Sequence, residues 1–146
     1  MNKNLCSLGL MSGTSMDGID VSIIKSDGEQ FIEIIDDIYI KYNDKLRSKL
    51  KKIIEACPSK DQFEKLSKDV EKVEKEITFC HFKACELIIE KNRNTKIDLI
   101  GFHGQTILHR PQNGYSIQIG DSKLLSKLTN IAVVSNFREN DILNGG

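Results

Sequence analysis

Three segments near the start of the chain alternate apolar and polar residues in the pattern that predicts half-buried strands. They span Leu5 to Met11, Ile19 to Ser26 and Phe31 to Tyr42. Turn-forming residues separate them, with Gly13 to Gly18 in the first gap and Ser26-Asp27-Gly28 in the second. An Asp-Gly pair between two such runs is typical of a hairpin. The segment therefore predicts an antiparallel meander of three strands.

After the meander, apolar residues recur at the spacing that predicts helices. One helix, with Leu46, Leu50 and Ile53 on a single face, ends at Pro58, because proline cannot continue a helix. A second helix is predicted from Asp61 to Asn92. Its apolar residues recur in steps of three and four: Phe63, Leu66, Val70, Val73, Ile77, Cys80, Ala84 and Leu87. This pattern also fits a coiled-coil seam in a helix-mediated interaction protein, but packing onto the chain's own sheet is favoured because the strands need a cover.

The remainder of the chain alternates strands and helices. Strands are predicted at Ile97 to Phe102, Tyr115 to Ile119 and Ile131 to Val134, and a helix opens at Gly120-Asp121-Ser122. The first of these strands runs into His103-Gly104-Gln105-Thr106, where polar groups follow a strand end, the place at which open α/β sheets bind ligands. The sequence therefore predicts an α/β domain with a mixed sheet.

Composition and charge limit the classes of partner that the chain is expected to bind. The chain has 146 residues, 39% of them hydrophobic, which suits one domain with one core. Lys and Arg total 21 and so do Asp and Glu, so no net field favours nucleic acid or an anionic membrane surface. No apolar run approaches the roughly 20 residues of a membrane span, and we predict neither partner.

Four cysteines, Cys6, Cys57, Cys80 and Cys85, have spacings that match neither a zinc ribbon nor a redox motif. We interpret them as free thiols in a reducing cytoplasm. Cys80, His81 and Cys85 share one predicted helix, and we interpret them as two core thiols and a partly exposed histidine rather than as metal ligands.

The segment MSGTSMDG, residues 11 to 18, contains the chain's most specific chemistry. Glycine lets a backbone turn sharply and approach a ligand, and Thr14 and Ser15 add hydroxyl groups beside the main-chain N–H groups. The glycine spacing is that of a P-loop, but Ile19-Asp20 replaces the required Lys and Ser/Thr. The residues favour a phosphate-binding hairpin with Asp17 and Asp20 near a metal or its waters, and an ordinary capped loop remains the alternative.

Four motifs, in order and in spacing, resemble the anhydro-N-acetylmuramic acid kinase family, whose members take part in bacterial peptidoglycan recycling. The first is Gly9-Leu-Met-Ser-Gly-Thr-Ser-Met-Asp-Gly-Ile-Asp20. The second is Gly101-Phe-His-Gly-Gln-Thr106 with His109-Arg110-Pro111 after it. The others are Gln118-Ile-Gly-Asp121 and Asn136-Phe-Arg-Glu-Asn-Asp-Ile-Leu-Asn-Gly-Gly146.

The resemblance implies a fold and a set of sites. The family belongs to the actin, hexokinase and Hsp70 superfamily, which implies a ribonuclease H-like (actin-like ATPase) domain: three antiparallel strands, then alternating helices and parallel strands. The first hairpin then holds the phosphates of ATP with Mg²⁺, through Gly13, Thr14, Ser15, Met16, Asp17, Gly18, Ile19 and Asp20. The residues expected toward the amino sugar are His103, Gln105, Thr106, Arg138 and Asp141.

In the family's reaction, water opens the 1,6-anhydro ring of anhydro-N-acetylmuramic acid while the freed O6 accepts the γ-phosphoryl group. The family's catalytic aspartate lies in an Asp-Thr-Gly-Pro-Gly-Asn stretch that this sequence does not contain. We therefore expect residues 1–146 to be an incomplete N-terminal kinase domain, without its second domain, without a catalytic residue and inactive alone. A non-catalytic actin-like module is the alternative, and a homodimer of the full-length form is left open.

Overall fold

The computed structural model describes residues 4–145, so residues 1–3 and 146 of the predicted domain lie outside the described part. Strands β1 (Leu5–Ser12), β2 (Gly18–Ser26) and β3 (Ile32–Lys41) pair in antiparallel order and confirm the predicted meander. Alternation fixes which face is buried, because successive side chains of a strand point to opposite faces. Leu8 and Leu10 lie in the core.

Three helices follow the meander: α1 (Asp44–Ala56), α2 (Lys60–Lys65) and α3 (Ser67–Lys91). The prediction of a single helix from Asp61 to Asn92 is wrong, because the helix is interrupted at Leu66. The Leu66 backbone N–H donates to the Phe63 carbonyl in a tight turn. Helix α3 packs on the chain's own core, as predicted, and the predicted seam residues Val70, Val73, Ile77 and Ala84 are buried. Leu87 was wrongly placed in the seam, because it is 53% exposed, whereas Cys85 and Ile88 are buried.

Strand β4 (Leu99–Arg110) is twice the length of the strand predicted at Ile97 to Phe102. It continues because β5 (Tyr115–Ile119) returns through a 3-10 turn and pairs antiparallel with its second half. The His103 to Thr106 segment is therefore part of a strand and not of a loop. The chain then forms α4 (Ser122–Thr129), β6 (Ala132–Ser135) and α5 (Phe137–Leu143).

The sheet order is β3-β2-β1-β4, with β4 pairing β6 through its first half and β5 through its second half. Both β1 and β6 run parallel to β4. An antiparallel meander followed by helices and parallel strands is the ribonuclease H-like, actin-like arrangement that we expected. Strand β5 confirms the strand predicted at Tyr115 to Ile119. The sequence pattern left its direction open, and it extends the sheet as an antiparallel hairpin partner of β4.

The two faces of the sheet differ. Helices α1, α3 and α4 cover one face and enclose the core. The other face is open, and Ile34 and Val134 are 69% and 48% exposed on it. Phe137 of α5 reaches back to this face, with its ring 3.6 Å from the place where a Cβ on Gly101 would lie. Within residues 4–145, no helix combines the length and the apolar character needed to cross a membrane.

His81 is buried, so the prediction of a partly exposed histidine is wrong. Its ring meets the ring of Phe102 edge-on at 5.0 Å, and its Nδ1 lies 2.8 Å from the Ile77 carbonyl oxygen. That carbonyl can only accept, so Nδ1 carries the proton, and Nε2 has no partner among the described residues. Burial lowers the pKa of His81 to about 4.

This histidine predicts a pH-dependent stability. The unfolded chain, with an ordinary histidine pKa, binds a proton more readily than the folded chain, so stability is fully present above about pH 6.5 and falls as the pH drops toward 4. We expect the His81 contribution to fall by about 2 kcal/mol between pH 7 and pH 5. Urea unfolding of the wild type and of His81→Leu measures it. Equal pH slopes in the two proteins would contradict the assignment.

Candidate functional site

The loop at residues 13–17 joins β1 to β2, and its turn does not depend on a glycine with a positive φ. The left-handed residue is Met16, with φ of 55°, whereas Gly13 keeps an ordinary φ. A Cβ on Gly13 would meet no atom within 4 Å. The expectation that Gly13 is needed for a sharp turn is therefore wrong, and its bare backbone instead leaves space beside the loop.

Gly18 is a glycine for a different reason. A Cβ there would lie 2.4 Å from the Ile40 carbonyl oxygen and 2.6 Å from the Tyr39 hydroxyl. The Tyr42 N–H donates to the Asp17 carbonyl at 2.9 Å and holds the same end of the loop, and the Ser12 hydroxyl oxygen lies 2.9 Å from the Gly18 carbonyl oxygen. Gly18 thus lets β3 pack closely against the loop.

The exposed part of the loop presents hydrogen-bond donors. Thr14 and Ser15 are exposed, and their backbone N–H groups have no acceptor within residues 4–145. The Ser15 hydroxyl donates to Asp17 at 2.5 Å, and this bond holds the pKa of the Asp17 carboxyl below its usual range. From α1, the Arg47 guanidinium donates to the Met16 carbonyl at 3.2 Å. Unpaired N–H groups in a turn form a concave site suited to an anion.

The last two predicted loop residues lie in β2 and differ in environment. The Ile19 side chain is fully buried in the core, so it offers no side-chain contact to a ligand. Asp20 is exposed on the open face, opposite Tyr39 in the strand register. Desolvation raises the pKa of the Tyr39 hydroxyl, and the charges of Asp17 and Asp20 raise it further. A groove of about 540 Å³ runs from Asp20 and Tyr39 to His103.

Three of the five residues predicted to face the sugar lie together. The Arg138 Nε donates to His103 Nε2 at 3.3 Å, and the Arg138 Nη1 donates to Asp141 at 3.2 Å. His103 Nδ1 lies 3.1 Å from the Gly104 carbonyl, so the proton sits on Nδ1 and Nε2 accepts from Arg138. The first turn of α5 places Arg138 beside the middle of β4, where His103 lies.

A small pocket of about 210 Å³ adjoins this cluster. Sequence reasoning named His103 and Arg138 in its lining but not the amide and hydroxyl groups of Ser116, Gln118 and Asn136. Gln118 and Asn136 are the first residues of two of the four family motifs, and this position was the sequence signal that could have identified them as pocket residues. Ser116 carried none, because only the antiparallel return of β5 brings it here.

Gln105 and Thr106 are separated from the cluster. Gln105 is fully buried and Thr106 is 5% exposed. The Gln105 side chain is bonded to Ser12, to the Gly13 carbonyl and to its neighbour's carbonyl. The structure thus places Gln105 under the phosphate-loop candidate, not beside the predicted sugar residues.

Comparison with known proteins identifies the family. The model of the anhydro-N-acetylmuramic acid kinase family matches residues 6–146. The chain belongs to that family. Proteins named anhydro-N-acetylmuramic acid kinase are similar to it in Pelagibacter ubique, with 49% identity over the whole chain, and in Rhizobium etli, with 42% identity over 96% of it. The chain spans 39% and 38% of the lengths of these two relatives.

In this member of the anhydro-N-acetylmuramic acid kinase family, the Gln118 to Asp121 motif forms a corner between β5 and α4. Gly120 has φ of 146°, and a Cβ on it would lie 2.4 Å from the Phe102 ring. Its N–H donates to Glu74 of α3, and the Asp121 carboxylate caps α4. The motif therefore fixes β5 against α3, which sets the position of the pocket beside His103.

The two loop glycines predict different outcomes when each is changed to alanine. Gly18→Ala should cost about 1 to 3 kcal/mol of unfolding free energy, because its methyl group has no room beside Ile40. Gly13→Ala should stay within about 0.5 kcal/mol of the wild type, because its site is open. Urea unfolding of both variants measures the difference, and equal losses would contradict this description of the loop.

Proposed function

We propose that this chain supplies the phosphate-binding loop and part of the sugar-binding wall of an ATP-dependent kinase. The reaction converts 1,6-anhydro-N-acetylmuramic acid to N-acetylmuramic acid 6-phosphate, with ring opening by water. One observation carries the proposal: in a chain of this kinase family, the exposed loop presents the Thr14 and Ser15 N–H groups with no acceptor among residues 4–145. Phosphoryl transfer depends on such positioned donors.

Magnesium is proposed with ATP because the carboxylates near the loop fit its chemistry. Mg²⁺ prefers oxygen ligands and usually keeps several waters while using one or two carboxylates. Asp17 and Asp20 are the carboxylates that would hold it through those waters, and the metal would neutralise charge on the phosphates. No group of three His, Cys, Asp or Glu residues suited to a metal occurs among residues 4–145.

The sugar is proposed to bind at the His103, Arg138 and Asp141 cluster. The guanidinium group has five N–H donors, and the described contacts use only those on Nε and Nη1. The remaining donors of Arg138 suit sugar oxygens in the adjoining pocket. Because His103 Nε2 accepts from Arg138, the ring keeps the guanidinium oriented.

The catalytic carboxylate is proposed to come from outside residues 1–146. Asp141 is already paired with Arg138, and the hydrogen bond from Ser15 holds the pKa of Asp17 below its usual range, which makes Asp17 a weak general base. A second domain would supply that base and the adenosine pocket. We place the kinase in the cytoplasm, where its four free cysteines stay reduced, and a homodimer of the full-length form stays a prediction.

A chimera tests the proposal. Residues 1–146 would replace the matching segment of the Pelagibacter ubique relative, and product formation would be followed by mass spectrometry of the sugar 6-phosphate. We expect turnover by the chimera and at least ~1000-fold less by residues 1–146 alone, because catalytic groups that act as a unit fail together. Gly13→Val in the chimera should weaken ATP binding by blocking the space beside the loop.

Two results would contradict the proposal. Turnover by residues 1–146 within tenfold of the unaltered relative would mean that the base lies in this chain, with Asp17, Asp20 and Asp141 as the first variants to make. A folded but inactive chimera, beside an active relative, would favour a non-catalytic actin-like module.

A further inference from the structure

A bulge in β4 sends two nearby polar side chains to different faces of the sheet. Leu10 pairs with Phe102 and Ser12 pairs with Gln105, so β4 has one residue more than β1 across this interval. Gly104 within it has φ of 74°, and a Cβ there would lie 2.6 Å from the Ile119 carbonyl oxygen. Such a bulge re-aims the side chains after it. His103 stays on the open face, and Gln105 turns into the interior.

The orientation of the buried Gln105 amide is determined by its neighbours. Its Nε2 lies 2.6 Å from the Gly13 carbonyl oxygen and 3.0 Å from the Thr106 carbonyl oxygen. Both oxygens can only accept, so the amide nitrogen faces them and Oε1 accepts from the Ser12 hydroxyl at 2.6 Å. The Tyr42 hydroxyl, 2.8 Å from Ser12, completes the network.

This bond determines the direction of the next N–H group in the loop. A peptide unit is planar and trans, so its carbonyl and its N–H point in opposite directions. Gln105 holds the Gly13 carbonyl inward, which turns the Thr14 N–H outward, where it has no acceptor within residues 4–145. Gly13 has no side chain to oppose rotation of this peptide. Two donors reach its carbonyl oxygen, the Gln105 Nε2 at 2.6 Å and the Met16 N–H at 3.4 Å, and the shorter Gln105 contact is the stronger restraint on its orientation.

We propose that Gln105 is a positioning residue for the phosphate loop, acting from beneath it to present the Thr14 N–H to the phosphates of ATP, and that it does not contact the sugar. The identity of the ligand rests on the proposed function. The orientation of the 13–14 peptide does not depend on that identity. If Gln105 is lost, only the longer contact from the Met16 N–H holds the Gly13 carbonyl. The peptide can then rotate more easily and present a carbonyl oxygen, which repels a phosphate.

Steady-state kinetics of the chimera test the role. Gln105→Met keeps an unbranched side chain of similar length but cannot donate, and we expect the KM for ATP to rise roughly tenfold, the size expected for one buried donor. The KM for the sugar should stay within about twofold. Tyr42→Phe is the structural control, because it removes a hydroxyl from the same network without touching Gly13, and its KM for ATP should not change.

The opposite pattern would overturn the proposal. If Gln105→Met raises the KM for the sugar and leaves that for ATP unchanged, Gln105 is a sugar contact. If both variants raise the KM for ATP equally, Gln105 contributes only general stability. His103→Ala, on the open face of the same strand, should raise the KM for the sugar alone.

A measurement without ligand separates this proposal from the proposed function. In residues 1–146, NMR hydrogen exchange should show the Gln105 side-chain NH₂ protected from exchange and the Thr14 amide exchanging freely. The carbonyl ¹³C shift of Gly13 should change in Gln105→Met. Free exchange of the Gln105 NH₂ group would overturn the positioning role whatever the kinase assay shows. Protection in a chain whose chimera is inactive would instead count against the proposed function alone.

Discussion

Strand β4 is the constraint on which the rest of the structure depends, because it pairs with three other strands. Its first half lies between β1 and β6, and its second half continues beside β5. The bulge at Gly104 divides these halves and lets one strand serve two sites. His103 faces the open groove, and Gln105 supports the loop from inside the domain. Both candidate sites therefore have a common rigid element.

Burial of a polar side chain on β4 stabilises the fold only because the hydrogen-bonding groups of that side chain have partners. A buried amide without partners costs free energy, whereas the Gln105 side chain bonds to two carbonyls and one hydroxyl. His81 is the contrasting case, because its Nε2 is buried without a partner among the described residues. The ring remains neutral there, so the free-energy cost of its burial is limited to one unmade hydrogen bond. Because the fold disfavours protonation of the ring, the stability of the protein depends on pH.

Much of the fold was predictable from alternation and helical spacing, because one face of each early strand and of α3 is buried against the same core. The extent of β4 was not, since its second half is a strand only through pairing with β5. No proline or glycine near Leu66 marks the break between α2 and α3 in the sequence. For the candidate site, the motifs named His103, Arg138 and Asp141, which lie together in the fold, but the burial of Gln105 depends on a bulge that no local pattern reveals.

The most direct test of the account is an NMR titration of residues 1–146 with ATP and magnesium, followed through the backbone amides. We expect the largest shifts at Thr14 and Ser15, since their N–H groups are exposed and have no acceptor in the described part of the chain. A competing surface exists between α1 and α3, where Lys49, Lys52 and Lys72 line a groove. Shifts confined to that groove, with the loop unchanged, would contradict the assignment of residues 13–17 to the phosphates.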